Sequence, residues 1–156
     1  MGIYVQKTGQ LYFELENTGT LNTTYNLFNN GVVAISTGSV DLSGNSAIHG
    51  GKFLYNSNCS LSFSGIHTFI EGSTLQGGSN LKFREGHFIL SGSFVGDIGY
   101  IHGYEAFVTF NKNVTFNVSM EINSGGVKFL KHVTFNNDLT LSVRVFSVVL
   151  LFIFAI

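Results

Sequence analysis

FVTFNKNVTFN at residues 107–117 and GVKFLKHVTFN at residues 126–136 are two copies of one pattern. Val108, Phe110, Val114, Thr115, Phe116 and Asn117 recur as Val127, Phe129, Val133, Thr134, Phe135 and Asn136, each nineteen residues on. Downstream, Met120 and Ile122 return as Leu139 and Leu141. A fixed period of this length is the signature of stacked structural repeats. Working towards the N-terminus, Val33 and Ile35 align with Phe53 and Tyr55. Val40 and Leu42 align with Leu61 and Phe63, then with Leu81 and Phe83. A third column is read through Ile48, Phe69 and Phe88, shared later by Met120 and Leu139.

Each unit therefore holds three short x-apolar-x-apolar segments separated by Gly, Asn and Ser. Alternation with period two places the apolar pair of each segment on one face of a strand. Gly and Asn accept the left-handed backbone conformations that turn the chain between strands. Three strands per turn with no intervening helix describe a parallel β-helix, its turns stacked about 4.8 Å apart. The expected fold is all-β: a single-stranded, right-handed parallel β-helix (solenoid) of about five to six turns of roughly twenty residues, the sixth a degenerate one at residues 11–28. The handedness follows the usual twist of strands. Leu42, Phe63, Phe83, Phe116 and Phe135 are expected to form one inward ladder, with Asp41, Ser62, Lys82, Thr115 and Thr134 outside. A β-sandwich also has short alternating strands, but it does not require like residues to recur in three columns at once.

Composition agrees. The chain has 156 residues, 44% hydrophobic and 14% aromatic, with sixteen Phe and no Pro or Trp. Charged residues are 11%, under half of the roughly 25% usual in soluble domains. That leaves little material for helix surfaces, whereas Phe, Val, Ile, Tyr and Thr suit strands. With a formal net charge of −1 and eight scattered Lys and Arg, no basic stripe exists to follow a phosphate backbone, and nucleic acid is not an expected partner. A single cysteine, Cys59, excludes an internal disulfide framework and a four-cysteine zinc site.

LSGNSAIHGGKF at Leu42–Phe53 and FNKN at Phe110–Asn113 have a recognisable pattern. They resemble the repeats of polymorphic outer-membrane proteins, which line autotransporter-type β-helix passengers. Phe110 and Asn113 fit the family's Phe-x-x-Asn element, and Leu42 and Asn45 fit it with Leu for Phe. Gly50-Gly51 is followed by Lys52, and Gly125-Gly126 by Val127, where that family has Ala or Ile. The resemblance spans about residues 28–141 and implies a surface-displayed adhesion or scaffold role. No outer-membrane barrel of alternating strands follows in this sequence.

Between Phe88 and Val108 the spacing of the columns is read as broken, so SGSFVGDIGYIHGYEA at residues 91–106 is expected to be an inserted loop. Its Asp97, Tyr100, His102, Tyr104 and Glu105 form the candidate ligand-binding set, two tyrosines and a carboxylate suiting a sugar-stacking platform. Glycoside hydrolysis needs two carboxylates about 5–9.5 Å apart on one face. Asp41, Asp97 and Asp138 fall in different turns and columns, so no catalytic pair, enzyme activity or cofactor is expected. Arg84 beside Glu85 reads as a solvated turn. His49, His67 and His87 recur near one corner and read as exposed corner residues rather than metal ligands. The asparagines read as turn formers whose amides bond neighbouring backbone.

The domain organisation expected is a β-helix over residues 1–142 and an apolar tail, residues 143–156. For VRVFSVVLLFIFAI three readings stay open: a cap on the solenoid, a membrane-associated tail, or the cut end of a longer chain. Twelve residues after Arg144 fall short of the roughly 20 needed to span a bilayer as a helix. The functional expectation is a non-catalytic, extracellular or cell-surface scaffold that meets a glycan or a host or cell-surface protein. A carbohydrate-binding or polysaccharide-degrading module of pectate-lyase type is the alternative.

Overall fold

The computed structural model describes residues 2–14, 19–24, 26–78, 80–96, 100–101, 106–116, 120–136 and 138–150. Among them there is no helix, and every paired strand is parallel to its neighbours. The chain is a parallel β-solenoid, as the repeat predicts. Three columns of strands alternate along it. The first stacks Gln10–Glu14, Val32–Thr37, Lys52–Tyr55, Thr74–Gly77 and Ser93–Gly96. Val114–Phe116 and Val133–Phe135 follow at the same place in later turns as a separate pair. The second column begins with Thr20–Thr23 and Ser39–Leu42 and the third with Gly2–Val5, Asn26–Asn29 and Ser46–His49. The long strands Ser60–Phe69, Leu81–Leu90, Met120–Phe129 and Leu139–Leu150 serve both columns, turning within themselves from one to the other.

In three of these four strands the internal turn uses a glycine. Gly65, Gly86 and Gly125 have φ of 99°, 115° and 87°, a region costly for any residue with a Cβ. Gly86 is in register with Gly65, and Ala106 takes the same place in the turn between Gly86 and Gly125. A Cβ on Gly86 would overlap the Gly65 carbonyl oxygen, and one on Gly125 would overlap that of Ala106. The bend can stack from turn to turn because nothing larger than the methyl of Ala106 projects from it. Asparagines hold the other corners as expected: the amides of Asn29, Asn56 and Asn80 donate to the carbonyls of Lys52, Ser36 and Ser57 at 2.8, 3.1 and 3.1 Å. Each bond ties one turn to a neighbour.

The interior is a set of ladders of apolar side chains. Val33 and Ile35 stack on Phe53 and Tyr55, and Val40 and Leu42 on Leu61 and Phe63 and then on Leu81 and Phe83, all buried. Phe63 and Phe83 lie with ring centroids 5.9 Å apart, Phe110 and Phe129 5.1 Å, Phe116 and Phe135 5.2 Å. Offset aromatic pairs at such distances add about 0.5–1.5 kcal/mol to the effect of burial itself.

Four expectations need correction. First, residues 91–106 are not an insertion where they are described. Ser93–Gly96 pairs with Thr74–Gly77, and Tyr100–Ile101 pairs with Lys82–Phe83, each taking an ordinary place in its column. The apparent break arose from assigning Val108 to the first column, whereas it stacks on Phe88 in the third. Second, the ladder through Leu42, Phe63 and Phe83 continues into Ile101 and Ile122, while Phe116 and Phe135 stack in their own pair. Third, the register of the third column is shifted by one: Ile48 pairs with Thr68 and His49 with Phe69. A shift of one residue exchanges the two faces of a strand, and the consequence is large for the site. Fourth, the boundary at residue 142 is not kept, since Leu139–Leu150 pairs with Met120–Phe129, through two register shifts, as far as Leu150. Residues 151–156 lie outside the described residues. No helix among the described residues is long and apolar enough to cross a membrane.

Candidate functional site

Of the five residues singled out for ligand binding, Asp97, His102, Tyr104 and Glu105 lie outside the described residues. Tyr100 takes the ladder position between Lys82 and Glu121. Arg84 leaves its sequence neighbour Glu85 and reaches Asp41, with Nη1 and Oδ2 2.8 Å apart. The Arg84 side chain is half exposed, so this bond contributes about 1 kcal/mol or less.

The histidines separate into two kinds. His87 is exposed and stacks on Phe107 at 5.4 Å. His49 and His67, expected at an exposed corner, are instead buried. The cause is the shifted register, which turns His49 inward and leaves Ile48 outside. His49 Nε2 lies 3.0 Å from His67 Nδ1, and His67 Nε2 lies 2.9 Å from the Ser64 carbonyl oxygen. A carbonyl only accepts, so His67 carries its proton on Nε2. Its Nδ1 then accepts from His49 Nε2–H, and both rings are neutral. His49 Nδ1 is left buried with no partner. The rings of Phe53, Phe63 and Phe69 surround His49, and those of Phe63 and Phe88 lie against His67. Burial first, and then the neighbouring His67, push the His49 pKa down to about 3. Burial also lowers His67, against the opposing pull of the Ser64 and Leu42 carbonyls. Among the described residues no group of three His, Cys, Asp or Glu is placed to hold a metal ion.

The outward face of the third column is where exposed apolar surface gathers. One row runs through Ile48, Thr68, Ile89, Thr109 and Lys128 in register, and Tyr4 stacks on Phe28 nearer the N-terminal end. A second row holds Ile66, His87 and Phe107. Ile48 is 54% exposed, Ile66 49% and Ile89 40%. At the N-terminal corner of the same face lies a groove of about 580 Å³, walled by Tyr4, Gln6, Lys7, Phe28, Asn30 and Ile70 over Gly50. Sequence reasoning missed this face by counting Ile48 among the core residues. Its signal was present in the order Ala47-Ile48-His49, which alternates cleanly once histidine is allowed inside.

No protein-family model, curated protein or solved structure matches this chain.

Proposed function

We propose that this protein is a non-catalytic β-solenoid scaffold, displayed at a cell surface or secreted, that attaches to a protein on another surface through the outward face of its third column. The observation that carries the reading is the run of isoleucines on that face. Ile48 and Ile89 lie in one outward row on either side of Thr68, and Ile66 lies in the next row, all about half exposed. Exposed apolar side chains gathered on one face mark interaction sites. A solenoid suits the role because each turn presents the same outward position at a fixed spacing. The resemblance of Leu42–Asn45 and Phe110–Asn113 to surface-displayed β-helix repeats points the same way. In that reading Phe110 contributes to the core and Asn113 Oδ1 accepts from the His132 amide at 3.2 Å, so the motif serves the scaffold.

The test is attachment of beads coated with the full chain to cultured cells, comparing the protein with its Ile48→Lys/Ile89→Lys variant. Both positions are outward, so the variant keeps its thermal midpoint while attachment falls about tenfold or more. Equal attachment by a folded variant would refute the reading.

A further inference from the structure

We propose that the groove at the N-terminal corner is a binding site for an acidic sugar, an inference that deepens the scaffold reading and rests on it. The groove is in the range of small-molecule sites, which run from about 300 to 1,000 Å³. Its floor exists because residue 50 is glycine. A Cβ there would come within 2.8 Å of Asn30 Oδ1 and 3.3 Å of Ile70 Cδ1, so any side chain at this position would fill the space between the walls.

The walls divide the chemistry a pyranose needs. Tyr4 rests one ring face on Phe28, centroids 4.7 Å apart and planes within 7°. It is 70% exposed, so its hydroxyl and much of its ring remain open to a ligand. An aromatic surface of this kind takes the apolar C–H face of a sugar. Gln6, Lys7 and Asn30 are exposed beside it, and among the described residues their side chains make no hydrogen bond or ion pair. Two amides supply paired donors and acceptors for hydroxyl groups.

Among the described residues Lys7 is the one charged side chain lining the groove, and its sign selects an anion. Glu71 follows Ile70 in the chain, but its carboxylate is 3.4 Å from the Lys112 ammonium, which offsets its charge. The sugar that fits is therefore one bearing a carboxylate, held at Lys7 by a charge-assisted hydrogen bond.

The test uses the ¹⁵N-labelled full chain titrated with D-glucuronate and, separately, with D-glucose. A single sugar ring in a site of this size binds with Kd on the order of 1 mM. Glucuronate is expected to shift the amide resonances of Tyr4–Lys7 and Phe28–Asn30. Lys7→Gln, an exposed substitution, weakens glucuronate about tenfold and leaves glucose unchanged. Tyr4→Ala weakens both sugars. Shifts confined to other parts of the chain, or glucuronate binding unaltered in Lys7→Gln, would overturn the assignment. Cell attachment retained without sugar binding overturns this inference alone, whereas loss of both overturns the scaffold reading as well.

Discussion

Acidification should loosen this protein through one pair of side chains. His49 and His67 are buried, neutral and hydrogen-bonded in series, and the outer nitrogen of His49 has no partner to receive a proton. In the unfolded chain each imidazole protonates near pH 6.5, while in the fold His49 is held at about 3 and His67 is lowered in the same direction. Their stabilising effect is therefore complete above pH 6.5 and is lost as the pH falls from there towards 3. For His49 alone, moving from about pH 7.5 to about pH 5 removes roughly 1.5 decades at 1.36 kcal/mol each, or about 2 kcal/mol. His67 adds to this. Urea titrations at fixed pH read the effect directly. With a slope of about 2 kcal/mol per molar, the midpoint should fall by about 1 M over that interval. The control is His49→Leu/His67→Leu, which removes both partners together and keeps the volumes close, so it costs little at neutral pH. Its midpoint should move by at least 1 M less than the parent's, to the order of magnitude given by the same arithmetic. A parent midpoint that is flat from pH 7.5 to 5, or a double variant with the parent's full slope, would refute the argument.

Four further outcomes follow from the packing. His67→Leu alone should destabilise more than the double variant, by about 1–3 kcal/mol at neutral pH, because it leaves the His49 N–H buried without an acceptor; urea midpoints decide it. Gly86→Ala should cost about 2 kcal/mol or more, since it combines a left-handed backbone with overlap on the Gly65 carbonyl, whereas Gly72→Ala meets no neighbouring atom and pays only for its backbone; thermal midpoints of the two should differ accordingly. Phe63→Ala, which empties a fully buried site between Phe53, Phe69 and Phe83, should cost about 3–5 kcal/mol in the same assay. The Cys59 thiol is fully buried, so it should react with a thiol reagent only as fast as the fold opens, which quenched labelling against urea will show.

Much of the fold was legible in the chain because a solenoid writes its period directly into the sequence. Val33, Phe53 and Leu75 are stacked neighbours in space because they are equivalent places in successive turns. The same holds for Val40, Leu61 and Leu81. Alternation within those strands was legible because every inward candidate was apolar, although Val32, Ala34 and Leu54 stand on the outward side. Repetition and alternation together decide an all-β solenoid without any knowledge of contacts.

The third column was not legible in that way, and the binding face went with it. There the inward positions include Asn29, His49 and His67, while isoleucine stands outside at 48, 66 and 89. Hydrophobicity alone selects the wrong face, because it counts the cost of burying an imidazole without the hydrogen bonds that offset it. Only the tertiary structure brings Ser64 and His67 beneath His49 and supplies those bonds. The corner amides of Gly50 and Gly51, both donating to the Asn29 carbonyl at 2.8 Å, hold the strand in that register. The sequence by itself determined the period and the alternation, which are local properties of the chain. Which of two faces turned inward was decided by polar partners a full turn away.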